Sequence, residues 1–289
     1  MVFKKIKIFL EMIKFEHTLF ALPFAYVGAL LVQKKIPSAH NLIWITLAMV
    51  GARTAAMSLN RIIDRHIDAR NPRTAGRAIP RGLLSVGEVW VYVILSFALL
   101  MVSAARLSPL AFRLFPVAVV VLSVYSYVKR FSWTCHFFLG LALGLAPLGA
   151  WIAIAGRFAL APVLLALGVL FWVAGFDIIY ACDDYHFDLS AGIYSIPACF
   201  GLERALAVSS LFHALAPLLF IAVGLLLKLG VFYLAGVLIA VFLLFKQHRL
   251  VSPGDLSRAG VAFFNLNGTL SVIMLVFTLL DIIFPVRIF

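Results

Sequence analysis

Nine apolar stretches constrain this chain more than any other feature of its sequence. They centre on residues 17–33, 41–59, 86–105, 110–128, 136–155, 160–182, 204–227, 230–245 and 262–284, the first and eighth being short. Roughly 20 apolar residues span a bilayer core. The composition agrees: 64% of residues are hydrophobic and 12% charged, with a mean hydropathy of +1.09, whereas a soluble domain carries about 25% charged residues. The expected fold class is an all-α integral membrane protein, built as one domain over residues 1–289 without a linker. Residues 1–15 place Lys4, Lys5, Lys7 and Lys14 among Phe3, Ile6, Phe9, Leu10 and Ile13. That stretch reads as an amphipathic surface helix, since it lacks the small-residue site of a cleavable signal.

A net charge of +12 raises the possibility of nucleic acid, but the placement of the charge points elsewhere. With nine spans and the N-terminus inside, the inner segments hold 16 Lys and Arg and the outer ones seven, with Arg53 inside the membrane. That asymmetry fits the positive-inside rule. It puts the long connections 61–85 and 184–202 on the cytoplasmic side. Each follows a motif-bearing span, so spans one and two with their loop are repeated by spans five and six with theirs. Weak internal symmetry of this kind suggests a site between the repeats.

The motifs are acidic. Asn60, Asp64 and Asp68 recur every four residues at the end of the second span, and Asp184 and Asp188 at the end of the sixth. Four-residue spacing stacks carboxylates on one helix face, where they repel. Acidic residues also oppose the macrodipole at a helix C-terminus. A divalent cation removes both penalties, and one or two carboxylates completed by substrate phosphates are what Mg²⁺ prefers. Two such faces suggest a metal-bound diphosphate held between two helices, with neighbouring basic residues attracting the anion.

Other residues admit two readings. Asp177 lies inside span six with Tyr180 one turn on, and intramembrane acids usually face a cavity. Arg53 lies seven residues before Asn60, on roughly the same face. It is either an anion contact, to diphosphate or a substrate carboxylate, or a structural pair with Glu16 or Asp281. Lys129 follows Tyr125 by four residues, and a Lys there is also an ordinary helix cap. Cys182 and His186 have metal-compatible spacing but no further soft ligand. Cys135, Cys182 and Cys199 form no disulfide or zinc pattern.

Taken in order, these residues resemble the UbiA superfamily of intramembrane prenyltransferases. The resemblance rests on Asn60-x-x-x-Asp64-Arg65-x-x-Asp68, Arg73-Thr74-x-x-Arg77-x-x-Pro80-x-Gly82, Tyr125-x-x-x-Lys129 and Asp177-x-x-Tyr180-Ala181-x-x-Asp184-x-x-x-Asp188. Asn71-Pro72-Arg73-Thr74 and Phe15-Glu16-His17-Thr18 are most similar to 4-hydroxybenzoate polyprenyltransferases and their menaquinone-pathway relatives. Arg61 stands where many members have Asp, and Ala78-Ile79 stand where many have Pro-Leu.

The resemblance implies nine transmembrane helices around a central cavity, capped by the two cytoplasmic loops, in a bacterial-type inner (plasma) membrane. It implies transfer of a prenyl chain from a prenyl diphosphate to a small aromatic acceptor, with Mg²⁺ as cofactor and lipid, not nucleic acid, as surroundings. Asn60, Asp64, Asp68, Asp184 and Asp188 would hold Mg²⁺. Arg73, Arg77, Lys129 and Tyr125 would hold the diphosphate, and Asp177, Tyr180 and Arg53 would line the acceptor side. Haem, a glycerol lipid or a futalosine-type menaquinone precursor are alternative acceptors, and a transporter is the rival from another class.

The charge asymmetry generates the first test. Single cysteines in loops 61–85, 129–132 and 184–202, in a background lacking the three native ones, should all label from the cytoplasmic side with an impermeant thiol reagent. Labelling of 61–85 and 184–202 from opposite faces would overturn both the topology and a shared site.

Overall fold

The computed structural model of the protein describes residues 2–14, 18–261 and 265–286. Among these the chain is helical, apart from loops and one isolated bridge between Ser252 and Asp255. In order the helices are α1 (Val2–Met12), α2 (Thr18–Gln33), α3 (Ala39–Arg70), α4 (Val86–Leu107), α5 (Pro109–Val128), α6 (Cys135–Ala155) and α7 (Leu160–Ala181). A 3₁₀ turn over Cys182–Asp184 leads to α8 (Tyr185–Ala191), α9 (Ile196–Phe200), α10 (Leu202–Leu226), α11 (Val231–Arg249), α12 (Ala259–Val261) and α13 (Asn267–Ile283).

Seven of the expected spans become helices long and apolar enough to cross a membrane: α3, α4, α5, α6, α7, α10 and α11. The eighth stretch, expected to be short, forms a 19-residue helix. The two that fall short of a full span are α2 and α13, with 16 and 17 residues. The Phe15-Glu16-His17 opening and the C-terminal Phe289 lie outside the described residues.

Local chemistry sets the helix ends. Ser85 caps α4 reciprocally with Glu88, satisfying two backbone donors at once. Ser108 ends α4 and caps α5, with Pro109 as the first helical residue. One linking residue forces the two helices to be antiparallel. Gly156 ends α6 at φ +62°, a conformation glycine adopts without strain. As a result α3, α5 and α7 all finish at the end of the bundle where α4 and α6 begin.

Packing holds that end in register. The helix α3 lies mainly against α4, and α7 against α6 and α10, while α2 packs on α6 and α13. A side chain at Gly140 would meet the Leu170 carbonyl oxygen at 2.4 Å, so α6 and α7 approach backbone to backbone, as small residues permit between membrane helices. Phe24, Trp172, Phe220 and Tyr233 anchor the largest buried cluster. The first helix packs on the motif end: Phe9 and Met12, with Ile13 just past the helix, are buried with Leu59, Ile62 and Val89, and Lys7 is exposed.

Asp281, a candidate partner for Arg53, is committed elsewhere. Its Oδ2 accepts the Gly230 N–H at 2.8 Å and its Oδ1 the Tyr233 N–H at 3.2 Å. It therefore caps the first turn of α11. Glu16, the other candidate, is outside the described residues.

Candidate active site

The ends of α3, α5 and α7 meet, and each brings charge. Asp64, near the end of α3, has a side chain only 2% exposed. Its Oδ2 accepts from Lys129 Nζ at 2.6 Å and Asn60 Nδ2 at 2.8 Å, and its Oδ1 accepts from Arg130 Nη2 at 3.1 Å. Lys129 and Arg130 stand just past the end of α5, where cations are favoured by the helix dipole. Tyr125, one turn earlier on the same face as Lys129, donates to the Ala56 carbonyl at 3.1 Å. The four-residue spacing of Tyr125 and Lys129 thus directs both at α3.

The loop after α3 explains itself residue by residue. Asn71 stops the helix ahead of Pro72, accepts the Arg73 N–H at 2.9 Å and donates to Asp184 Oδ1 at 3.0 Å. Arg73 Nε donates to the same Oδ1 at 2.9 Å, and its two terminal nitrogens reach Asp184 Oδ2 and the Tyr180 hydroxyl. Its guanidinium also stacks over the Tyr180 ring. Burial alone would lower the Arg73 pKa, but these contacts carry it above the ordinary arginine value. Arg73 is a permanent cation. Thr74 donates to the Asp68 carbonyl at 3.0 Å, and Arg77 donates to Asp68 Oδ1 at 2.7 Å.

The second acidic motif is bent. Asp184 sits in the 3₁₀ turn after α7, and Asp188 is on the separate helix α8. The expected single helical face is therefore broken between Tyr180 and Asp188. Gly192 ends α8 at φ +64°, and the chain returns so that Ser195 Oγ donates to Asp188 Oδ2 at 2.9 Å. Asp177 faces His136, whose Nδ1 is 2.7 Å from Asp177 Oδ2.

Sequence reasoning missed Arg130, Ser195 and His136. Arg130 stood beside Lys129 and could have been drawn by that adjacency. His136, a lone histidine at the start of an apolar helix, carried no signal. Cys182 is buried and donates to the Ile178 carbonyl.

Among the described residues no three acidic, histidine or cysteine side chains converge on one metal position. Three of the carboxylates are instead answered by a cation: Asp64 by Lys129 and Arg130, Asp68 by Arg77, and Asp184 by Arg73. The residues still fit Mg²⁺. Every candidate ligand is a hard oxygen donor, one or two per ion suffice when phosphates complete the shell, and Asp68 Oδ2 is buried with no hydrogen-bond partner.

Next to this charged end lies an apolar cavity of about 370 Å³ between α3, α4, α5 and α6. Arg53 and Tyr125 are its polar lining residues, and it extends down α5 from Tyr125 to Ala111, about 21 Å by helix rise. Leu107 and Phe158 line its far end.

A bundle of membrane-length helices with carboxylates, cations and an apolar cavity beside them marks an integral membrane protein with a charged site at one end of the bundle. The chain belongs to the UbiA prenyltransferase family, whose model matches residues 21–269. It is similar to the 4-hydroxybenzoate octaprenyltransferase of Pseudomonas aeruginosa (strain UCBPP-PA14), with 32% identity over 209 residues, 71% of this chain and 69% of the relative. Its fold is similar to the apo structure of a UbiA homologue from Aeropyrum pernix K1. There the TM-score is 0.85 and the identity 36%, over 92% of this chain and 98% of that one. A UbiA homologue from Archaeoglobus fulgidus bound to GPP and Mg²⁺ shares the fold, with a TM-score of 0.69 and 22% identity over 92% and 99% of the two chains.

The burial of Asp64 changes what its removal should do. Asp64→Ala strands two cations, Lys129 and Arg130, whose side chains are 28% and 31% exposed. The expected cost is about 1–3 kcal/mol, below that of a fully buried pair because solvent screens the stranded charges. Adding Lys129→Met should recover part of it. Unfolding in detergent measures both, and strictly additive losses would show that the pair is not coupled.

Proposed function

We propose that this chain, as one domain over residues 1–289, transfers a polyprenyl chain from a prenyl diphosphate to an aromatic acceptor resembling 4-hydroxybenzoate. The step belongs to quinone biosynthesis. The observation that carries this reading is the junction of two environments. Asp64, Asp68 and Asp184, each paired with a cation, sit directly above an apolar cavity whose lining is polar only at Arg53 and Tyr125. A prenyl diphosphate has the same division, an anionic head and a hydrocarbon tail. The site faces the cytoplasm of a bacterial-type inner membrane, supported by the 16-to-seven distribution of basic residues. The nine apolar stretches then form nine membrane helices, with the connections 61–85 and 184–202 as caps, although α3 continues to Arg70 and α8 takes up Tyr185–Ala191.

In this reading Asn60, Asp64, Asp68, Asp184 and Asp188 hold Mg²⁺. Bound there, Mg²⁺ neutralises the diphosphate and makes it a better leaving group. Arg73, Arg77 and Lys129 add fixed positive charge where negative charge grows as the C–O bond breaks. To bind diphosphate these cations exchange part of their contact with the carboxylates for phosphate oxygens. The diphosphate leaves with the bonding electron pair, and a ring carbon of the acceptor supplies the pair for the new C–C bond. The ring then loses one proton. Asp177 is suited to accept it: Oδ2 is held by His136, and Oδ1 has no hydrogen-bond partner among the described residues. Tyr180, one turn above and fixed by Arg73, flanks the same space. The capped, apolar surroundings exclude water that would quench an allylic cation.

Arg53 orients the acceptor. A guanidinium in an apolar wall suits a carboxylate through two parallel hydrogen bonds. Arg53 is seven residues below Asn60, about 10 Å by helix rise, which separates it from the diphosphate end.

Purified protein offered 4-hydroxybenzoate, competing acceptors and a mixture of prenyl diphosphates should yield a prenylated aromatic product by mass spectrometry. A chelator should abolish it. Arg77→Ala should chiefly raise KM for the prenyl diphosphate, and Arg53→Ala should raise KM for the acceptor roughly ten- to hundredfold, the loss of a charged hydrogen bond. Full activity in excess chelator would remove the metal from the reaction. A change confined to the prenyl diphosphate KM would remove Arg53 from the acceptor side.

A further inference from the structure

His136 opens α6 and is 2% exposed. Its two ring nitrogens face different parts of the molecule. Nδ1 lies 2.7 Å from Asp177 Oδ2 on α7, and Nε2 lies 3.2 Å from the backbone nitrogen of Ile196. A backbone N–H can only donate, so Nε2 is the nitrogen with the free lone pair. Nδ1 therefore carries the proton and donates it to Asp177. An imidazole that accepts at Nε2 and donates at Nδ1 is the neutral tautomer, with both of its hydrogen-bonding positions filled.

Ile196 belongs to the segment that caps the site. Ser195 caps α9 through the Ala198 N–H at 3.3 Å and gives its own proton to Asp188. The Tyr194 N–H donates to the Lys129 carbonyl at 2.8 Å. Three consecutive residues, 194 to 196, thus touch Lys129, Asp188 and, through His136, Asp177. A carboxylate turns broadly about its last torsion, and the Nδ1–H fixes which oxygen of Asp177 faces the ring of His136 and which is left open.

We propose that His136 is a positioning residue that couples the aim of the Asp177 carboxylate to the seating of the cap segment 192–201. The inference rests on the reading above, in which Asp177 serves the acceptor. The imidazole acts as a two-ended strut: it holds the Asp177 carboxylate oriented, and it holds Ile196 so that the cap closes over the same place. Its neutral Nδ1–H form is the one form that can do both.

Two variants divide the strut. His136→Asn puts an amide nitrogen near the place of Nδ1, keeping the donor to Asp177 and losing the hold on Ile196. His136→Gln reaches toward Ile196 with a carbonyl oxygen and loses the donor to Asp177. In steady-state kinetics, His136→Gln should raise the acceptor KM about tenfold or more and leave the prenyl diphosphate KM within about threefold, the scale of one charged hydrogen bond. His136→Asn should leave the acceptor KM nearly unchanged. Equal effects of the two variants on both KM values would make His136 a packing residue and overturn the proposal.

A second readout needs no turnover. In protein labelled with ¹⁵N-histidine, the His136 signals, assigned by their loss in His136→Asn, should show protonation at Nδ1 alone, and Asp177→Asn should shift them. Protonation at Nε2, or no response to Asp177→Asn, would also overturn the proposal, even if a variant fails to fold. Absence of aromatic prenylation by the wild-type protein would refute the functional reading, an outcome separate from the tautomer.

Discussion

The structure depends on the convergence of negative charge at one end of the bundle. Three helices, α3, α5 and α7, bring their carbonyl-rich C-termini together, and each C-terminus carries about half a negative charge from the aligned peptides. Asp64, Asp68 and Asp184 add whole charges at the same place. Left alone this arrangement would repel itself apart. Lys129, Arg130, Arg73 and Arg77 each bond one of those carboxylates, and every one of the four comes from a segment that follows α3 or α5. The basic residues therefore close the loops as well as neutralise the acids. Asn71 and Arg73 fasten the first loop to the end of α7, and the Tyr194 amide fastens the second to the end of α5.

In the proposed reading, that arrangement lets two substrates share one site. The charged end would recruit and hold an anionic head, while the cavity along α5 offers apolar wall over most of the thickness of a bilayer core. Ion pairs of this sort are useful at a binding site because they are exchangeable: partly exposed pairs contribute little net stability, so phosphate oxygens can take over the cations at small cost. Asp177 and His136 sit below this exchange layer, tied to each other by a hydrogen bond, and their geometry need not change when the head group arrives.

Much of this was legible in the sequence. Apolar length gave the helices, and four-residue spacing put Tyr125 and Lys129 on one face, which the structure turns toward α3. Asn71-Pro72-Arg73-Thr74 was recognisable as a motif, although only the structure shows each residue with its separate partner. The misses have physical causes. The break at Cys182–Asp184 was invisible because i,i+4 spacing survives in register even when the helix tightens and restarts. Asp281 was a plausible partner for Arg53 by charge alone, but the backbone amides of α11 hold it, and a tertiary helix cap leaves no pattern. His136 was missed because a single histidine has no periodicity. The burial of Asp64 left no sign in the sequence either: the neighbouring α5 end covers it, a contact between residues 65 positions apart.

In the proposed function the acidic ends and the basic loops form one site for a metal-bound diphosphate, held by internal ion pairs and reorganised on binding. Calorimetry with a non-reactive prenyl diphosphate analogue, in which sulfur replaces the bridging ester oxygen, tests it directly. The analogue should bind at least about tenfold more tightly with Mg²⁺ than in EDTA, and Mg²⁺ should bind more tightly with the analogue by the same factor, as linkage requires. Equal affinity for the analogue in Mg²⁺ and in EDTA would contradict a shared site.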